Sequence, residues 1–306
     1  MNNLLSLSDL SFDDIIELLD MAEDMKAKRA KGIVVETLKP KSLAMIFEKS
    51  STRTRISFEV AMNELGGHVL NLHSRDLQLG RGETISDTAQ VMSRYIHGIM
   101  ARVYKHSTLE ILAQFSTVPV INGLSDLEHP CQLLADLLTI REYKGTLKGL
   151  KFAWVGDGNN VCNSAILAAA ITGMQMRVAC PVGYGPNSDI LTKAVNMGAD
   201  VEVVHEPENA VENADIIYTD VWVSMGDEEE KEERLRDLWP YQINDALVSF
   251  AKESCMIMHC LPAHRGEEIT SEVLTGPQSA VLNQAENRLH ATKAILTRLL
   301  APNVKV

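Results

Sequence analysis

Leu43-Ala44-Met45-Ile46-Phe47 is an uninterrupted apolar run, the pattern of a short buried strand. Beyond it Phe58, Ala61, Met62 and Leu65 recur at i, i+3, i+4 and i+7, one face of a helix that stops at Gly66-Gly67. The same switch from continuous to helical periodicity repeats along the chain. His68 to Leu72, Ile99 to Ala101 and Val118 to Ile121 read as strands. Thr84 or Ser86 opens a helix reaching about Tyr95, and Ser107-Thr108-Leu109-Glu110 reads as a capping box opening another. Ahead of these, Ser11 caps an amphipathic helix that turns basic at Lys26 to Arg29.

Pro130 fits the first turn of a helix through Leu133, Leu134, Leu137, Leu138 and Arg141, and the polar Lys144-Gly145-Thr146 after it marks a boundary. A second alternation then begins with the strand 151–155, the turn 156–160 and a helix from Cys162 to Ile171. Strands follow at 176–179, 201–204, 215–219 and 256–259. The charged run 227–236 reads as a solvated helix face, and a last helix spans Glu286 to Leu300. Strand-helix alternation of this kind predicts an α/β fold: two doubly wound domains with mainly parallel sheets, joined by interdomain helices. The expected limits are 1–143 and 144–285, with 286–306 packing back on the first domain.

The 306 residues suffice for two cores, and 45% hydrophobic with 23% charged residues describe a soluble globular protein. A formal net charge of -12 argues against nucleic-acid or anionic-membrane partners, which require a broad basic surface. Neither a secretory leader nor an apolar run of membrane-spanning length is expected from the sequence. Five cysteines without Cys-x-x-Cys spacing fit reduced thiols in a cytoplasmic protein.

Against that acidic background, Ser50 to Arg55 gathers hydroxyls and guanidiniums where a strand turns into a helix. Unpaired backbone N–H groups and the positive end of the helix dipole point the same way there, which makes an anion site suited to phosphate. Other unusual polar residues also lie just past strand ends: Arg102, Asn160, Asp220 and Cys260. In open α/β sheets that edge binds ligands, and two such edges facing each other would form one cleft. Gly156-Asp157-Gly158 invites a dinucleotide reading. The third glycine is replaced by Val161, and Cys180-Pro181 stands where the ribose-binding acid belongs, so a dehydrogenase is the weaker alternative. His259 and His264 lack a Glu or Cys partner at zinc-ligand spacing, and no metal or cofactor is expected.

Seven motifs in order, Ser51 to Arg55, Gln78 to Glu83, Ala101 to Tyr104, His129 to Gln132, Gly156 to Asn160, Asp220 to Gly226 and His259 to Pro262, resemble those of the aspartate/ornithine carbamoyltransferase family. The resemblance runs from Phe47 to Asn287-Arg288 and implies transfer of the carbamoyl group of carbamoyl phosphate to the side-chain amine of L-ornithine, in arginine biosynthesis. It assigns Ser51, Thr52, Arg53 and Thr54 to the phosphate, and Arg102, His129 and Gln132 to the carbamoyl end. Arg288 returns from the last helix to the same substrate. Gln78 is implied to reach carbamoyl phosphate from a neighbouring subunit, hence a homotrimer or an assembly of trimers. Asn160, Asp220, Ser224 and Met225 are assigned to ornithine, with Cys260 and Leu261 close to the reacting nitrogen and counted among the carbamoyl phosphate-binding residues. Arg102, His129 and Cys260 are the implied catalytic residues. Aspartate is an alternative acceptor, because Arg265 is a cation close to the His-Cys-Leu-Pro motif, and putrescine or an acylated ornithine is another, because each would also satisfy the anion half of the site.

Overall fold

The computed structural model describes residues 1–73, 77–78, 82–223 and 228–304. The chain divides into two compact units, one of Met1–Leu138 with Glu286–Val306 and the other of Thr139–Ala285. The division falls inside helices α5 (Pro130–Lys144) and α12 (Val281–Leu300).

Unit 1 opens with α1 (Phe12–Ala30), whose Ser11 cap and Asp14 satisfy each other's backbone N–H reciprocally. Its sheet contains β1 (Ser42–Phe47), β2 (His68–His73), β3 (Gly98–Arg102) and β4 (Val120–Leu124), all parallel, in the order β2-β1-β3-β4. Between them run α2 (Thr52–Glu64), α3 (Ile85–Met92) and α4 (His106–Phe115). The inner strands are continuous apolar runs because helices cover both faces: Ala44, Ile46, Ile99 and Ala101 share one core with Leu109 and Val120. Leu4 pairs with Ile121 and closes the β4 edge.

Two elements differ from the periodicity reading. The capping box at Ser107 is not made: α4 begins at His106, whose N–H donates to Asp126 Oδ1 at 2.8 Å, so a cap distant in sequence replaces the local one. α3 ends at Met92, three residues before Tyr95.

Unit 2 carries β5 (Lys151–Val155), α6 (Asn160–Thr172), β6 (Gln175–Ala179), α7 (Ser188–Asn196), β7 (Val201–Val204), α8 (Pro207–Val211), β8 (Ile216–Thr219), α9 (Lys231–Leu238), α10 (Asp245–Val248), β9 (Met256–His259) and α11 (Ser271–Thr275). Its parallel sheet has the order β7-β6-β5-β8-β9. Alternation sorts the two faces. Ala153, Val155, Ile217 and Ile257 enter one core with Val273. On β5 and β8, Trp154 stacks on Tyr218 with ring centroids 5.1 Å apart. The acidic helix α9 is not solvated throughout, since Arg234 turns inward to Asp157 at 3.2 Å.

Candidate active site

In each sheet the strand order reverses once, between β1 and β3 in unit 1 and between β5 and β8 in unit 2. Ligands bind outside the carboxyl ends of the strands at such points. The sequence-selected residues stand there: Ser51 follows β1 and Arg102 ends β3, while Asn160 follows β5 and Asp220 follows β8.

In unit 1, Ser51 caps α2, its Oγ accepting the Thr54 N–H at 3.2 Å. Thr52 is exposed, Arg53 half-buried and Thr54 buried. Arg55 turns away from this corner, lying over the Phe47 ring at 4.9 Å and reaching His73 Nε2 at 3.2 Å. Arg102 is positioned by a register shift that sequence periodicity does not reveal. Ala101 pairs with Asn122 but Arg102 pairs with Leu124, so Gly123 is an extra residue, a bulge that re-aims the strand end. A Cβ at 123 would lie 2.4 Å from Met100 Sδ and 3.2 Å from Ala101 O, so any larger residue there would displace the buried Met100 side chain.

His129 is buried at the entry to α5, and its imidazole is held well below the usual histidine range, first by burial and then by the charges of Arg288, Arg102 and Arg53. That ring is therefore neutral near pH 7, a hydrogen-bond donor set among cations. Gln132 and Arg288, 156 residues apart, meet with Nη1 donating to Oε1 at 2.5 Å. Arg288 Nη2 donates to Thr54 Oγ1 at 2.8 Å. Five selected residues, Ser51, Thr54, His129, Gln132 and Arg288, thus share one buried corner linked by hydrogen bonds and charge. Gln78 is exposed.

His106 and His290 are also depressed, chiefly by burial, so three histidines resist protonation in the native state. The unfolded chain takes up those protons below about pH 6.5. Folded pKa values below the unfolded ones mean that stability is complete above that pH and is lost as pH falls toward the native values, at up to about 1.4 kcal/mol per pH unit for each group. The urea midpoint is expected to decline from pH 7 to 5, less steeply in His129→Asn. A flat or rising profile would contradict the neutral imidazole.

In unit 2, Asp220 is the hub. Its Oδ1 accepts the Cys260 thiol at 2.9 Å and the Val221 N–H at 2.8 Å, and its Oδ2 accepts Asn159 Nδ2 at 2.8 Å. Sequence position selects Asn160 and passes over Asn159. Asn159 is the N-cap of α6, accepting the N–H groups of Val161 and Cys162, and an Asn directly before a helix is the signal that could have found it. Asn160, half-buried, begins the helix. Ser224 and Met225 lie outside the described residues.

Leu261 adopts φ 59°, a left-handed conformation costly for a side-chain-bearing residue. Its N–H donates to His259 Nδ1 at 2.9 Å, and His259 Nε2 meets the fully buried Glu268 at 3.0 Å. Asp220, His259 and Cys260 offer ligand atoms within 4.8 Å of one another, a grouping that sequence spacing hides. Both ring nitrogens of His259 are committed to these hydrogen bonds, so the cluster reads as positioning machinery.

The other thiols are of a different kind. Burial pushes Cys131 and Cys255 up to about 12 and Cys180 to about 11, and raises Cys162 as well. Such thiols stay protonated and inert. The Gly156 to Gly158 turn leaves little room for a dinucleotide pyrophosphate. Gly158 donates its N–H to Tyr184 O, and a Cβ there would lie 2.3 Å from Pro186 N, so the 184–186 backbone covers the approach.

The chain is similar to known proteins over nearly its whole length. Residues 2–142 match the family model of the aspartate/ornithine carbamoyltransferase carbamoyl-P binding domain, and residues 148–299 that of the Asp/Orn binding domain. The chain is 60% identical over 306 residues, all of both chains, to the ornithine carbamoyltransferase of Archaeoglobus fulgidus. It is 59% identical to that of Methanosarcina mazei, over 97% of this chain and 99% of the relative. Among solved structures, ornithine carbamoyltransferase from Pyrococcus furiosus superposes with a TM-score of 0.95 at 52% identity, covering 99% of this chain and 98% of the other. The anabolic ornithine carbamoyltransferase from Campylobacter jejuni does so with 0.91 at 40% identity, over 98% and 99%.

Proposed function

This chain belongs to the aspartate/ornithine carbamoyltransferase family, and from that premise we propose its reaction: transfer of the carbamoyl group of carbamoyl phosphate to the side-chain amine of L-ornithine, giving L-citrulline and phosphate. The observation that carries the substrate choice is the Asp220 corner, where a carboxylate is surrounded by an amide, a backbone N–H and a thiol. An acid there suits a substrate with an ammonium group, whereas aspartate's second carboxylate would need a cation. Arg265 is exposed.

In the proposed assignment, Ser51, Thr52, Arg53, Thr54 and the first turn of α2 bind the phosphate, and Arg288 steadies that corner through Thr54. Arg102 and the neutral His129 donate to the carbamoyl oxygen, with Gln132 beside them. Attack by the amine makes that oxygen an oxyanion, and the departing phosphate gains negative charge, so preorganised donors and cations act most strongly in the transition state. The nucleophile must first lose a proton, which at a lysine-like pKa costs about 4–5 kcal/mol at pH 7. Cys260 gives its S–H to Asp220, which leaves sulfur lone pairs as the feature it can present to the amine. Cys260 and Leu261 thereby orient and desolvate the reacting nitrogen.

Cys260→Ser is accordingly expected to cut turnover by about 10- to 100-fold while carbamoyl phosphate affinity, read by calorimetry, stays within twofold. A mass spectrum with a carbamoyl adduct on Cys260 would instead make it a covalent nucleophile. The function itself is tested by phosphate release with saturating carbamoyl phosphate and ornithine, aspartate, putrescine or N-acetylornithine offered separately. Ornithine should give the highest kcat/KM, and aspartate or putrescine exceeding it would overturn the reading of Asp220. A dehydrogenase remains much the weaker alternative, given the covered Gly158 turn.

The reading extends to a homotrimer, in which Gln78 of one copy completes the site of the next. It is supported by the exposed edge strand β2 with Leu70, and by Ile56 on the adjoining helix α2. It also extends to a cytoplasmic enzyme of arginine biosynthesis. Among the described residues no helix is long and apolar enough to cross a membrane.

A further inference from the structure

We infer that Asp136 is a positioning residue for the carbamoyl phosphate corner: its carboxylate dictates which way round the Gln132 amide lies, and through that amide holds Arg288 on Thr54. The inference rests on the reaction proposed above. Asp136 follows Gln132 by one turn of α5, and both are fully buried. Gln132 Nε2 donates to Asp136 Oδ1 at 2.9 Å, while Gln132 Oε1 accepts Arg288 Nη1 at 2.5 Å. Arg288 continues the run to Thr54 Oγ1 at 2.8 Å, and the Thr54 N–H continues it to Ser51 Oγ at 3.2 Å.

An ionised carboxylate only accepts and a guanidinium only donates. The amide between them therefore has one permitted orientation, with NH₂ toward the acid and oxygen toward the arginine. The chemistry of the two ends fixes this without reference to atom placement. With a side chain at 136 that can also donate, only Arg288 still enforces that orientation, and the amide turns over at lower cost. Its NH₂ would then face the Arg288 N–H, donor against donor, and Arg288 would be pushed off Thr54 at the start of α2. Asp136 thus acts at a distance of three hydrogen bonds from the residues proposed to hold phosphate. A buried polar run of this kind rigidifies its members only while every link is satisfied.

The test uses the full chain with Asp136→Asn, Gln132→Glu and the double variant D136N/Q132E. In the double variant the polarity of the first link is reversed. The amide introduced at position 136 donates to one oxygen of the carboxylate introduced at position 132, and the other oxygen still accepts from Arg288. Asp136→Asn is expected to raise KM for carbamoyl phosphate by about 10- to 100-fold, with KM for ornithine within twofold. The double variant should recover about tenfold of that loss or more. Equal rises in both KM values, a lowered melting temperature with unchanged kinetics, or a double variant as impaired as the product of the single ones would each overturn the inference. Calorimetry with inorganic phosphate on wild type and Asp136→Asn reads the same link without turnover. Weaker phosphate binding in the variant would support the inference even if wild type showed no carbamoyl transfer, an outcome that would sink the proposed reaction alone. Unchanged phosphate binding would count against Asp136.

Discussion

Replacing Arg102 with Met is expected to lower kcat by about 10²–10³-fold, the usual loss when one donor to a developing oxyanion is removed. Arg102 ends an inner strand at the point where the sheet order reverses, is 7% exposed, and owes its aim to the Gly123 bulge. Burial first, and then the positive field that Arg102 supplies with Arg288 and Arg53, keeps His129 neutral. In the proposed assignment removal of Arg102 takes away a charge-assisted hydrogen bond that strengthens as the carbamoyl oxygen gains charge, so kcat should fall further than carbamoyl phosphate affinity. Arg102→Lys should recover little, since an ammonium keeps the charge but loses the planar fork. Steady-state kinetics with both substrates varied check this. A variant that keeps kcat and loses only KM would make Arg102 a ground-state binding group.

The second large effect is expected at Asp220. Asp220→Ala removes one carboxylate and strands three donors at once, the Asn159 amide, the Val221 N–H and the Cys260 thiol. Truncating one member of such a buried, charge-assisted set costs about 2–5 kcal/mol, or about 30- to 3,000-fold. The loss should appear in KM for ornithine and in kcat. Carbamoyl phosphate binding, which the proposal assigns mainly to residues of unit 1, should remain within twofold by calorimetry. If carbamoyl phosphate affinity fell equally, Asp220 would be organising the chain at large and not the amino-acid half-site.

Which parts of this were legible in sequence follows from how local each determinant is. The Ser51 and Ser11 caps act within three residues of themselves, and the strand runs of both sheets are continuous because both faces are buried, so both patterns survive as text. Asn160 and Asp220 could be selected because they follow strands. The role of Asn159 was hidden beside Asn160, since choosing between adjacent asparagines requires knowing where the helix begins. The Ser107 box failed for the opposite reason, because Asp126 lies 20 residues from the His106 N–H that it takes. The joining of Thr54 to Arg288 spans 234 residues and the Gly123 bulge depends on pairing with a neighbouring strand, so neither leaves a periodic trace. The metal-like grouping of Asp220, His259 and Cys260 was likewise invisible, since it needs β8 beside β9.

The central claim is that the chain carbamoylates ornithine, and a single-vessel competition addresses it most directly. Carbamoyl phosphate labelled with ¹³C at the carbonyl is supplied with equimolar ornithine, aspartate, putrescine and N-acetylornithine, and the ureido products are separated by mass. The account predicts that labelled citrulline dominates and that its formation is lost in Arg102→Met. Labelled carbamoyl-aspartate or carbamoyl-putrescine as the main product would contradict it.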